Sequence, residues 1–474
     1  MSRITRLITL TTLIPTLAAA QTPVSVWPPP LPPPRIKPSG PPASTSPPAP
    51  TTPPPVTDDE LRQQLRIASE TLARHDAELR DLRAALAAKN TPPAPGTSEN
   101  WYERLSIRGY LQVRYNQIPS AVNNEHLIND QGDKSIGGTG GIYIRRARLI
   151  LFGDVHPRVS VYIQPDFASA ISDQLNVGMV RDFYADVFLD KKREFRFRIG
   201  QSKVPFGFEN MQSSQNRIAL DRTDAINSAV PNERELGLFF YWAPSHIRSR
   251  MKYLVDSGLK GSGDFGVIAL GVYNGQGINR YEANKYPNVV LRATWPFAIG
   301  NQFFEVGGGG YYGQYNVKLE TAKDGTKFTS AAPDNNLTEA RGHVSMILYP
   351  KPIGVAFEYN AGVGPSLGVG DQATVVDSRL LYGGYLQVMA RFERVARTVA
   401  MEPYVRGSMY DGGKKQYANA PHYQIRELEL GCEWQILKAF ELVAAYMIAE
   451  RTSDKYPYRL EYGHVTRLQA QINY

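Results

Sequence analysis

Arginines placed in even register are the residues of this sequence best suited to bind or select a partner. Arg108 and Arg114, Arg146 and Arg148, Arg196 and Arg198, with Arg292, Arg406 and Arg467, all fall on the polar phase of alternating segments. A guanidinium is permanently charged and carries a rigid fork of donors, so a row of them on one face favours anions and can hold phosphate through paired hydrogen bonds. Lys203, Arg217 and Arg222 extend the basic set between segments. A competing outcome is internal neutralisation, because Asp182, Asp186, Glu194 and Glu402 lie near enough in sequence to pair with these arginines.

Catalytic patterns are weaker. Gly364-Pro365-Ser366-Leu367-Gly368 has the spacing of a nucleophile elbow, but that motif needs a strand, a sharp turn and a helix, with acid and histidine partners. Here it lies in a Gly-rich connection between strands. Asp264-Phe265-Gly266 echoes a kinase triplet without the lysine strand or catalytic loop that give it meaning. The seven histidines are scattered without metal-ligand spacing, and Cys432 is the single cysteine, so no disulfide or cysteine cluster forms within the chain. Gly307 to Gly310 lack the setting of a phosphate loop and instead relieve crowding on a strand. No enzyme, cofactor, metal or nucleic-acid partner is implied.

The elements that must position the arginines follow from the periodicity. Leu105, Ile107, Gly109, Leu111, Val113 and Tyr115 alternate with Ser106, Arg108, Tyr110, Gln112 and Arg114. Phe195, Phe197 and Ile199 alternate with Arg196 and Arg198, and Met401, Val405 and Met409 with Glu402, Tyr404, Arg406 and Ser408. The final segment sets Thr466, Leu468, Ala470, Ile472 and Tyr474 against Arg467, Gln469, Gln471 and Asn473. A period of two with one wholly apolar face describes a strand between lipid and water. An arginine on the lipid face near midplane costs about 2–4 kcal/mol, so the arginine phase must face inward. Trp101, Tyr115, Trp242 and Trp295 cap segments as interfacial aromatics do. In Ile144-Arg145-Arg146-Ala147-Arg148-Leu149 strict alternation would turn Arg145 outward, so it must sit beyond the bilayer, at a bulge or at a subunit contact.

Composition agrees. The 474 residues include 27 Tyr, 18 Phe and 40 Gly, and the mean hydropathy of -0.34 excludes a bundle of membrane-spanning helices. About seventeen strands can be counted between 101 and 474. Even numbers are the rule, so an all-β transmembrane antiparallel barrel of about 16 strands is expected, with 18 as the alternative.

The first hundred residues differ. Residues 1–20 have the basic start, short apolar stretch and Ala18-Ala19-Ala20 end of a signal peptide. Residues 21–57 are a Pro-rich linker, with 16 prolines among the 33 residues from Pro23 to Pro55, and favour extended polyproline II. Over 58–90, Leu61, Leu65, Ala68, Leu72, His75, Leu79, Leu82 and Leu86 make an unbroken heptad seam, the mark of a short coiled-coil oligomerisation helix. Residues 91–100 are a second linker, and 101–474 the barrel. The net charge is +8; with 10 of the 53 basic and 8 of the 45 acidic residues in the first hundred positions, the barrel region holds a modest positive excess.

Gly200-Gln201-Ser202-Lys203-Val204-Pro205-Phe206-Gly207, Ser213-Ser214, Asp221-Arg222, Pro231 with Arg234 and Gly237, and Tyr273-Asn274-Gly275 resemble the phosphate-selective porin O and P family. The Arg-Arg-Ala-Arg core of Ile144 to Leu149 is similar to that family's second strand. The resemblance implies a 16-stranded, trimeric outer-membrane channel of a Gram-negative-type bacterium, with 204–235 as its constriction loop. That loop holds Arg217, Arg222 and Arg234 beside Glu209, Asp221, Asp224, Glu233 and Glu235. Passive diffusion of small inorganic anions, phosphate among them, is the leading functional expectation. A general or cation-selective porin is the second. A barrel embedded in outer-membrane lipid that anchors a periplasmic coiled-coil strut to the cell wall is the third.

Overall fold

The computed structural model describes residues 58–59, 62–63, 65–66, 69–71, 100–117, 140–171, 174–370, 373–396, 399–453 and 459–474. The expected signal peptide, the Pro-rich linker and every seam residue except Leu65 lie outside these. The chain divides into two units, residues 1–90 and 91–474. In the first, the described residues between 58 and 71 are helical, Arg66 pairs with Glu70 one turn on at 3.3 Å, and Leu65 is exposed.

The second unit is a closed antiparallel barrel of sixteen strands with two short additions. Its strands are β1 (Leu105–Gln117), β2 (Gly141–His156), β3 (Val159–Ile171), β4 (Gln174–Phe188), β5 (Phe195–Lys203), β6 (Arg234–Trp242), β7 (Ile268–Tyr273), β8 (Asn288–Ile299) and β9 (Gln302–Asn316). They continue with β11 (Asn336–Leu348), β12 (Ile353–Leu367), β13 (Val375–Ala390), β15 (Val399–Gly413), β16 (His422–Leu437), β17 (Phe440–Ser453) and β18 (Arg459–Asn473). The additions are β10 (Thr329–Ser330), laid parallel on β13, and β14 (Phe392–Ala396), which continues β13 beside β15. Closure leaves no open edge, which the absence of water in hydrocarbon demands.

β1 closes the ring by pairing with both β2 and β18. At this seam Gly109 and Tyr474 exchange backbone hydrogen bonds of 2.7 and 3.0 Å. The Tyr474 hydroxyl donates to the Arg148 carbonyl at 3.1 Å, and a Cβ on Gly109 would lie 2.4 Å from the Tyr474 ring. The terminal aromatic therefore lies across the closing strands, and Gly109 makes room for it.

Side chains divide as the alternation predicts. Ile107, Phe195, Ile199, Leu291, Val405, Leu430 and Leu468 are exposed on the outside, while Arg114, Arg196, Arg198, Arg292, Arg406 and Arg467 are buried inside. The bulge is the outcome for Arg145. Gln112 faces Arg146 but Val113 faces Ile144, so Arg145 is the extra residue and its side chain turns inward with that of Arg146. On the glycine-rich β9, a Cβ at Gly309 would meet the Leu291 carbonyl at 2.2 Å, so small residues do relieve crowding there.

One end of the barrel has mostly tight turns, but β6 and β7 are joined there by a helix, Ser245–Asp256, burying Ile247, Met251 and Leu254. The spacing of four and three puts these three on one face. Glu194, counted among the possible arginine partners, instead accepts from the Ser245 amide and hydroxyl at this helix start.

The lipid-facing assignment is tested by Leu430→Arg, mid-strand in β16. We expect unfolding in lipid vesicles to require about 2–4 kcal/mol less than in the parent. A change below about 0.5 kcal/mol, the scale of ordinary surface substitutions, would contradict the outward face.

Candidate pore constriction

Between β5 and β6 the chain does not turn back at the rim. Residues 204–233 fold into the barrel and are almost wholly buried, with a short helix at Asp224–Ala229. The loop is held by carboxylates and cations rather than by strand pairing. The Glu358 carboxylate on β12 accepts from the Phe208 and Glu209 amides, each at 2.9 Å. Gly207 permits this approach: its φ is +75°, and a Cβ would lie 2.2 Å from a Glu358 oxygen. Glu209 in turn accepts from the Thr223 amide at 3.0 Å and pairs with Arg406 at 2.8 Å.

Two loop carboxylates each gather four cations. Asp221 meets Arg114 at 2.7 Å, Arg467 at 2.9 Å, Arg145 at 3.2 Å and Arg146 at 3.7 Å. Glu233 meets Arg234, and also Arg222 at 3.3 Å, Lys203 at 3.6 Å and Arg217 at 3.7 Å. Burial opposes charge on both acids. For Asp221 the guanidinium groups of Arg114, Arg145, Arg467 and Arg146 outweigh it and hold the carboxyl well below its usual range. Lys203, Arg234, Arg222 and Arg217 do the same for Glu233.

The remaining arginines expected on the pathway also face inward, and most have acidic partners. Arg148 pairs with Asp166 at 2.8 Å and donates to the Tyr110 hydroxyl at 2.7 Å. Arg198 forks onto Asp186 through two 2.8 Å hydrogen bonds, and Arg196 meets Asp264 at 2.9 Å. Arg292 donates to the Gly207 carbonyl at 3.1 Å and lies 3.8 Å from Glu305. Arg108 stays exposed, its guanidinium 5.0 Å above the Phe152 ring. Of the expected acidic partners, Asp182 takes Arg234 at 2.9 Å, and Glu402 takes Arg391 and Lys260.

Lys203 plays a different part from a free pore cation. Its ammonium donates to the carbonyls of Asn210, Met211 and Gln212, with the first at 2.9 Å and the last at 2.5 Å. All three donors point into the loop backbone, so Lys203 staples the loop to the end of β5.

Sequence reading left several inward cations off the pathway, among them Arg145, Arg181, Arg341 and Lys260. Arg145 was hidden by the bulge. Arg181, 3.6 Å from Asp166, sits at a second irregularity where Gln164 faces Asp182 and Pro165 faces Val180. Arg341, on β11, binds Ser228 of the loop helix at 2.8 Å. Lys260 comes from the connection after the Ser245–Asp256 helix, which re-enters the lumen, and it meets Glu433 at 2.5 Å. Only the polar phase of β11 could have disclosed one of these, Arg341.

The structure also brings Ser366, His422 and Asp411 together: Ser366 Oγ lies 3.1 Å from His422 Nδ1, and His422 Nε2 lies 2.9 Å from Asp411. Ser366 is fully buried, with its hydroxyl donating to the Leu367 carbonyl at 3.2 Å. A nucleophile without access to substrate does no hydrolysis.

A barrel whose fifth connection folds inward and is anchored by Lys203 and Glu358 is the geometry of a constricted channel. Residues 127–474 match the family model for phosphate-selective porin O and P. The chain belongs to that family. It is an outer-membrane channel of the Gram-negative type, not an enzyme. Among solved structures it is similar to the outer membrane channel DcaP of Acinetobacter baumannii, at 12% identity and TM-score 0.48, covering 78% of this chain and 97% of that one. It is also similar to the anion-selective porin from Comamonas acidovorans, at 9% identity and TM-score 0.46, covering 78% and 99%. The trimer form of OmpT from Vibrio cholerae matches at 11% identity and TM-score 0.45, covering 78% and 99%. No curated protein matches the chain.

The porin's loop acids make a pH prediction. Because their folded pKa values are depressed, the stabilisation they provide is present above the ordinary carboxylate range and is lost as pH falls through the folded values. The two cages should therefore stay charged from pH 8 down to about 4, the unperturbed carboxylate value, so the conductance difference between the parent and Asp221→Asn should persist across that range and close only in stronger acid. A difference that vanishes between pH 5 and 7 would contradict the cage around Asp221. Separately, Lys203→Met should release the loop and raise conductance; an unchanged conductance would show that the staple is dispensable.

Proposed function

We propose that this porin is a passive diffusion channel favouring small anions, phosphate among them, along its inward-facing arginines. The observation that carries this reading is the pair of cages, where Asp221 and Glu233 each gather four cations, of which Arg234 also pairs with Asp182. Such an excess in a low-dielectric constriction raises the local anion concentration, and guanidinium forks suit phosphate oxygens. In this reading Arg108, Arg114, Arg146, Arg148, Arg196, Arg198, Arg217, Arg222, Arg292, Arg406 and Arg467 are the anion pathway, with Lys203 acting through the loop it holds. Residues 58–90 would assemble three copies in the periplasm, and the Pro-rich segment 21–57 would extend from the N-terminal end of that assembly. The exposed Leu65 is consistent with a seam awaiting partners.

A second reading has its own observation. Glu402, Glu429, Glu433 and Glu441 face inward from β15, β16 and β17 and are buried there. This acidic wall favours a general or cation-selective porin. The cell-wall anchor reading is separable, since deleting residues 21–95 would leave conductance intact and cause an envelope defect only if the strut matters.

The test is the reversal potential of the purified porin in a planar bilayer under a KCl gradient. We expect an anion-signed potential, and block by added phosphate, at 0.1 M salt, where the Debye length is about 10 Å. Both should weaken at 1 M, where it is about 3 Å. A cation-signed potential would replace the first reading with the second.

A further inference from the structure

The lumen is entered from both ends. The loop 204–233 descends from one end, and the connection after the Ser245–Asp256 helix re-enters from the other. They meet where Gln212 Nε2 donates to the Lys260 carbonyl at 2.6 Å. A cavity of about 20 Å³ lies at this junction. Its apolar lining includes Phe208, Ile218, Leu259, Ile347 and Met389. Its charged lining is Arg217, Arg406 and Lys260 with one carboxylate, Glu209, which Arg406 pairs at 2.8 Å.

Arg217 is the anomaly. Its side chain is 3% exposed, and none of its three guanidinium nitrogens has a hydrogen-bond partner. Its ion partner is Glu233 at 3.7 Å, a carboxylate already gathered by Lys203, Arg222 and Arg234. Arg406 and Lys260, by contrast, have close carboxylates of their own in Glu209 and Glu433. A buried donor group left without an acceptor destabilises the folded state, and more so when it is charged. An arriving acceptor would recover that cost.

We propose that this junction is a binding site for a small organic carboxylate with an apolar body, such as an aromatic acid. The inference rests on reading the lumen as an anion path and names the class of anion that pauses there. Inorganic phosphate would satisfy Arg217 but would press charged oxygens against Phe208, Ile218 and Leu259. A neutral apolar solute would leave Arg217 unmet. A carboxylate joined to a ring or short alkyl body meets both linings, its oxygens on the guanidinium and its body among the apolar side chains. At about 20 Å³ the cavity holds roughly one water, so the ligand acts as a wedge. The two faces that must part, around Gln212 and Lys260, belong to inserted segments and not to barrel strands, so widening leaves the barrel intact.

The experiment titrates the full-length porin in detergent with sodium benzoate, sodium acetate and sodium phosphate by calorimetry, beside the bilayer reversal potential. Benzoate should bind at least tenfold more tightly than acetate or phosphate. Arg217→Gln should weaken benzoate at least tenfold, Arg217→Lys should retain most of it, and Ile347→Asn should weaken benzoate while leaving phosphate unchanged. Heat-modifiable gel migration confirms that each variant is folded; should Arg217→Gln fail there, Ile347→Asn carries the test. Absent benzoate binding, equal affinity for phosphate, or variants without effect would overturn the site. An anion-signed potential with no benzoate binding removes this site alone, whereas a cation-signed potential removes the anion path on which it rests.

Discussion

Charge compensation around two loop carboxylates governs the interior of this porin. A barrel in lipid must send every charged side chain inward, because an arginine on the lipid face costs several kcal/mol. That requirement concentrates Arg114, Arg145, Arg146 and Arg467 on adjoining strands, where they would repel one another. Asp221 answers them from the descending loop, and Glu233 does the same for Lys203, Arg217, Arg222 and Arg234. The loop is thus held inside the barrel by the wall's excess charge.

In the proposed anion channel, anchoring and selectivity draw on shared residues. Lys203, Glu358 and Glu209 fix the loop backbone through carbonyls and amides, and these bonds are independent of any solute. The arginines around Asp221 anchor the loop, and in the proposed anion channel they would also meet the solute. Removing a partner from a buried pair is costly because the group left behind stays charged and unpaired. A variant that alters permeation here will also alter loop position, so gel-shift stability and conductance need to be read together.

The lumen is asymmetric in a second sense. The β1 to β6 wall is rich in arginine, and the β15 to β17 wall carries Glu402, Glu429, Glu433 and Glu441. Between them two inserted segments meet, one from each end, and it is at their contact that Arg217 lacks a close acceptor. The Ser366, His422 and Asp411 group shows the converse lesson. Three residues with the right chemistry and spacing make a local hydrogen-bond network, and the burial of Ser366 withholds it from any substrate.

The sequence by itself determined which face of each strand meets lipid, because alternation is a local property and the cost of misplacing an arginine exceeds any local preference. It also carried the family motif from Gly200 to Gly207 and the closing aromatic strand. Where each charge finds its partner was decided only by the tertiary structure. Arg145 turns inward through a bulge set by pairing with β1, and Lys203 becomes a staple because the loop backbone passes over it. Lys260 enters from a connection that no period marks. These depend on contacts between segments tens to hundreds of residues apart, and a two-residue repeat holds no information about them.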